Sequence, residues 1–82
     1  MLKVVFFASL REELATRELQ LVLHQPLTVA ELKQQLALTS PLWLRQLCER
    51  QVLQAVNQQL VGLDHPLQQG DEVAFFPTVT GG

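Results

Sequence analysis

Few residues in this chain of 82 could do chemistry, and the ones that could lie mostly at its end. The last eight, Phe75-Phe76-Pro77-Thr78-Val79-Thr80-Gly81-Gly82, lead out of an apolar run and finish in two residues without side chains and a free carboxylate. From Pro77 onward such a segment spans about 20 Å when extended. It is long enough to carry its carboxylate into an active site on another protein, and glycine suits a slot too narrow for a Cβ. A carboxylate is a poor electrophile and must be activated before it can react. The chain has no Gly-rich phosphate loop with a lysine to do this for itself, so activation has to come from outside.

The other reactive side chains point to structure. Cys48 is expected on the buried face of a helix with Leu44 and Leu47, as a small hydrophobe. His24 and His65 stand apart, without Cys or acidic residues at ligand spacing, so no metal site is expected. Glu12 and Glu13 suit the solvated start of a helix. No recognisable general acid/base pair is present.

Composition narrows the setting. One cysteine cannot form an internal disulfide, which favours a reducing compartment. No run nears the roughly 20 apolar residues of a membrane span. Six scattered Lys and Arg against eight acidic residues leave a net charge of −2, which argues against nucleic acid, whose binding needs grouped cations. A cytoplasmic protein with neither nucleic-acid nor membrane partners is expected.

The elements that must position the tail follow from periodicity. Leu2 to Ala8 reads as a strand, with Leu2, Val4 and Phe6 inward and Lys3, Val5 and Phe7 outward. Ser9-Leu10-Arg11-Glu12 has the form of a capping box, opening a short helix to about Thr16. Glu18 to His24 alternates Leu19, Leu21 and Leu23 against Gln20, Val22 and His24, a half-solvated strand that Pro26 ends.

Thr28-Val29-Ala30-Glu31 forms a second capping box, and Val29, Leu32 and Leu36 give one apolar stripe on a main helix over about residues 28–38. Ser40-Pro41 restarts helical structure, with Trp43 beside its buried face. Val52 to Val56 is a strand, Asn57-Gln58-Gln59 a turn, Leu60-Val61 a short strand, and Asp64 to Leu67 and Gln68 to Asp71 are turns. In the final strand, Glu72 to Phe76, Val73 and Phe75 point inward, Glu72, Ala74 and Phe76 outward, and Pro77 stops the ladder.

This order predicts an α+β domain: a small mixed sheet covered on one face by the main helix. It spans residues 1–77, with 78–82 as an extended, flexible tail. If the first and last strands are neighbours, Phe7 and Phe76 meet on the uncovered face. With Leu60 as a weaker third member and Pro77, Thr78, Val79 and Thr80 leading to the carboxylate, they are the expected partner contacts.

Three segments carry a family resemblance: Lys3-Val4-Val5-Phe6-Phe7-Ala8-Ser9-Leu10-Arg11-Glu12; Ala55-Val56-Asn57-Gln58-Gln59-Leu60-Val61; and Asp64-His65-Pro66-Leu67 with Gly70-Asp71-Glu72-Val73-Ala74-Phe75-Phe76-Pro77 to Gly81-Gly82. They resemble the MoaD-type small subunits of molybdopterin synthase. The resemblance implies a ubiquitin-like β-grasp fold and a sulfur carrier of molybdenum cofactor biosynthesis. Gly82 would be adenylated, converted to a thiocarboxylate and inserted into the large subunit, with Gly81 its slender neighbour. Sulfur would then pass to cyclic pyranopterin monophosphate.

The partners implied are the large catalytic subunit, in a heterotetramer, a ubiquitin-activating-like adenylyltransferase that uses ATP, and a sulfur donor such as a cysteine desulfurase or rhodanese. The chain itself would bind no cofactor and act as a non-catalytic subunit. Sulfur carriers for thiazole synthesis or tRNA thiolation share the fold, tail and activation. A ubiquitin-like modifier also begins with an acyl-adenylate, and a plain interaction domain would make no use of the glycines.

Overall fold

The computed structural model of the chain describes residues 1–78; Val79, Thr80, Gly81 and Gly82, all among the expected site residues, lie outside the described residues. Five strands form a mixed sheet in the order β2-β1-β7-β4-β5. They are β1 (Leu2–Phe6), β2 (Glu18–Leu21), β4 (Val52–Val56), β5 (Gln59–Leu60) and β7 (Glu72–Pro77). The first and last strands are central and parallel, with Val4 opposite Val73 and Phe6 opposite Phe75, while the other pairs are antiparallel. This is the β-grasp arrangement that the resemblance implies.

The two faces are those read from alternation. Leu2, Val4 and Phe6 of β1 and Val73 and Phe75 of β7 are buried, and all enter one core with Val29, Leu32 and Leu36 of α2 (Val29–Ala37). Phe6 stacks on Phe75 at 6.1 Å and meets Trp43 edge-on at 5.5 Å, geometries that the ring quadrupole favours. In α2 the capping box is complete: the Glu31 N–H donates to Thr28 Oγ1 at 3.2 Å, and the Thr28 N–H donates to Glu31 Oε1 at 2.9 Å. Replacing Thr28 by Ala removes one side of it. The expected cost is about 1 kcal/mol, a fall in Tm of about 4–8 °C for a domain of this size, read by thermal denaturation.

Five local expectations are corrected. Ser9 does not cap α1 (Ala8–Leu14): Phe7 is the N-cap, without a side-chain bond. Phe7 stays extended because its N–H donates to the Phe75 carbonyl at 3.1 Å, and Ala8 turns the chain at φ 56°. Ser9 is left inside the helix, where its hydroxyl accepts from the Arg50 guanidinium.

Leu44 and Cys48 are exposed, and only Leu47 of the three is buried. After α3 (Pro41–Leu44), capped by Ser40 with Pro41 in its first turn, residues Arg45–Glu49 wind as a π-helix. Wider winding shifts the apolar phase, so Trp43 and Leu47 face the core while Cys48 turns away.

The second strand stops at Leu21, and exposed Val22 begins the turn that follows, earlier than Pro26. Pro66–Leu67 is not only a turn: as β6 it pairs with β3 (Leu27–Thr28) in a second, two-stranded sheet.

Finally, Pro77 does not stop the ladder. It lies in β7 opposite Val52, and the Thr78 N–H reaches the Gln51 carbonyl at 3.5 Å. The Phe75 carbonyl faces β1, so two residues on the nitrogen of Pro77 faces the same side, which β1 has already left for α1. The missing donor costs nothing there.

Candidate functional site

The uncovered face of the sheet is graded along the strands. At the end where β7 begins, Lys3 lies between Glu72 at 3.5 Å and Glu18 at 4.0 Å, a solvated ion pair on each flank. One step along, Val5, Ala74, Ala55 and Leu60 stand side by side across β1, β7, β4 and β5. At the far end Phe76 lies opposite Leu53 of β4, and Phe7 continues β1 on the other flank of β7. The apolar end is thus the end from which β7 runs on toward Thr78 and the glycines.

Each member is placed by its strand. Phe7 is 47% exposed because the main-chain bond to Phe75 keeps it extended until Ala8 turns away. Leu60 is 69% exposed and stands opposite Ala55. Its hairpin closes through Asn57 and Gln58, at φ 50° and 71°, the pair of left-handed residues that a two-residue turn of matching twist requires.

Asn57 is suited to that conformation and also ties the turn to the start of β7. Its N–H donates to the Glu72 carbonyl at 2.8 Å, its Oδ1 accepts from the Glu72 N–H at 3.0 Å, and its amide donates to Asp71 at 2.9 Å. Asp71 in turn accepts from the Gln68 N–H at 2.8 Å, and Gly70 takes the left-handed position expected of it, at φ 89°.

Of the expected contacts, the structure places Phe7, Phe76 and Leu60 on one face, with Pro77 and Thr78 half-buried at its apolar end. Phe76 is itself half-buried. Phe7 and Phe76 flank the same end without forming a ring-to-ring pair among the described residues. Val79, Thr80, Gly81 and Gly82 lie outside the described residues.

Sequence reasoning missed Leu53, 39% exposed beside Phe76. The segment Val52-Leu53-Gln54-Ala55-Val56 hides it, because the polar residue of the run, Gln54, faces the core and leaves Leu53 to face solvent. Cys48 borders a hollow with Ala30, Lys33, Gln34 and Leu63, away from this face. Among the described residues no three His, Cys, Asp or Glu side chains gather as a metal site would need, and no helix is long and apolar enough to cross a membrane.

Such a face offers an apolar docking surface with a chain leading from it.

Comparison with known proteins places the chain among relatives. The model of the ThiS family matches residues 4–82. The molybdopterin synthase sulfur carrier subunit of Escherichia coli (strain K12) is 50% identical over 82 residues, covering 100% of both chains. SAMP1 from Haloferax volcanii, a small archaeal modifier protein, has the same fold, with a TM-score of 0.78 and 23% identity over 99% of this chain and 98% of that one. Subunit 1 or 2 in the complex of those two subunits of molybdopterin-converting factor from Helicobacter pylori superposes with a TM-score of 0.69. That match is 23% identical and covers 99% of this chain and 97% of the other.

Proposed function

This chain belongs to the ThiS family, and from that premise we propose that it is the sulfur carrier subunit of a molybdopterin synthase. The observation that carries the reading is the 50% identity to the Escherichia coli sulfur carrier subunit along the full length of both chains. The family model alone would leave a carrier for thiazole synthesis open; the full-length relative favours molybdopterin. The likeness to SAMP1 carries the fold and no more, so it lends no weight to a protein-modifier reading.

The residues divide the work as follows. Phe7, Leu53, Leu60 and Phe76 dock the domain on the large subunit, and Pro77 to Thr80 lead Gly81 and Gly82 into its active site. The complex of subunits 1 and 2 of molybdopterin-converting factor from Helicobacter pylori supports such a partner, and two small and two large subunits are the assembly we propose. An adenylyltransferase joins the Gly82 carboxylate to AMP from ATP, releasing pyrophosphate. The persulfide of a sulfur donor, of the cysteine desulfurase or rhodanese kind, then displaces AMP to give an acyl disulfide. A second thiol cleaves its S–S bond, leaving a thiocarboxylate on Gly82 and a disulfide between that thiol and the donor cysteine. Sulfur passes to cyclic pyranopterin monophosphate, and water restores the carboxylate. Glycine at both terminal positions keeps the acyl carbon open to attack. We place this cycle in the cytoplasm.

Intact-mass measurement tests the chemistry. After incubation with ATP, the activating enzyme and a sulfur source, a gain equal to replacing one oxygen by sulfur is expected, localised to Gly82. An unchanged mass, in a mixture that converts another carrier, would remove the proposal.

A further inference from the structure

Gln54 is the one buried polar side chain of the core among the described residues, 7% exposed on the inner face of β4 opposite Phe75. An uncharged amide there is a poor substitute for an apolar residue, since each buried polar atom needs a partner. Only half of it is satisfied. Nε2 donates to the Val61 carbonyl at 2.7 Å, while Oε1 has no partner among the described residues.

The bond it makes lies where the hairpin ladder frays. Ala55 pairs with Leu60 and Val56 with Gln59, so Gln54 stands opposite Val61. The Val61 N–H still donates to the Gln54 carbonyl, at a long 3.3 Å. The reciprocal bond comes from the Gln54 side chain. Leu60 therefore sits between two clamps: Asn57 pins the turn to β7 on one side, and Gln54 pins Val61 on the other. β5 is an edge strand of two residues, so without the second clamp its exit from the sheet rests on one long hydrogen bond.

We infer that Gln54 is a positioning residue, holding Leu60 in the docking face from beneath the sheet through its bond to Val61. The inference rests on the proposed docking of this face on the large subunit. It places a determinant of partner affinity on the side of the sheet that no partner touches.

The test is a double-mutant cycle on the full chain, with affinity for the large subunit measured by calorimetry. Gln54→Met keeps the volume and loses the amide. Gln54→Met and Leu60→Ala are each expected to weaken binding about fivefold. The double variant is expected to bind no worse than either single one, because both remove the same contact. Amide exchange at Val61, whose N–H donates to the Gln54 carbonyl, should quicken in Gln54→Met while Tm holds, since an unpaired buried oxygen leaves with the amide.

Wild-type affinity in Gln54→Met, or losses that simply add, would overturn the inference. If Gln54→Met fails to fold, Gln54→Leu takes its place, and failure of both would show that the amide serves the core alone. Phe76→Asp in the same titration separates the two levels. If it weakens binding while Gln54→Met and Leu60→Ala do not, the docking face stands and only this inference falls.

Discussion

Deletion of Gly81 and Gly82 is expected to abolish sulfur transfer while leaving the domain as stable as before. The hydrophobic core is built from residues between Leu2 and Phe75, so Tm should not move. The truncated chain still ends in a carboxylate, now on Thr80, but its β-branched side chain crowds the acyl carbon where glycine left it open. No thiocarboxylate should form, and synthesis of the dithiolene in a reconstituted system should fall below detection. Affinity for the large subunit should fall by less, because the apolar face remains. Wild-type product formation by the truncated chain would mean that the glycines carry no chemistry and that the protein is only a docking module.

The second large effect is expected from Phe76→Asp. Phe76 lies on the central strand β7, opposite Leu53 and at the end of the face where the chain leaves for its terminus. Aromatic residues near the centre of an interface carry a large share of binding energy, and a charge buried there without a partner adds its desolvation cost. A loss of about 2–4 kcal/mol is expected, which is roughly a 30- to 1000-fold rise in Kd. The side chain is only half-buried in the free domain, so the variant should fold, with a native near-ultraviolet spectrum to confirm it. Wild-type affinity in the folded variant would move the docking surface elsewhere.

What the amino-acid order determined unaided is whatever depends on near neighbours. Alternation in Leu2 to Phe6 and Glu72 to Phe76, marked outward by Lys3 and Glu72, assigned both faces of the central strands, because period two admits only one solution once a charge is placed. The Thr28 and Glu31 box was equally legible, since all its partners lie within three residues. The terminal glycines suggested the proposed chemistry because what they suggest is chemical and local.

Tertiary structure decided the rest. The Ser9 box has the same form as the Thr28 box, yet Phe7 is held extended by a strand nearly seventy residues away in sequence, and the helix begins without Ser9 as its cap. The π-helix turned Cys48 outward against a stripe counted at helical period. Leu27–Thr28 pairs with Pro66–Leu67, a contact with no local signature. Leu53 joined the exposed apolar face only because the fold buries Gln54 beneath it. At Phe7 and at Leu27–Thr28 a hydrogen bond supplied from far along the chain outweighed a local preference worth about 1 kcal/mol or less.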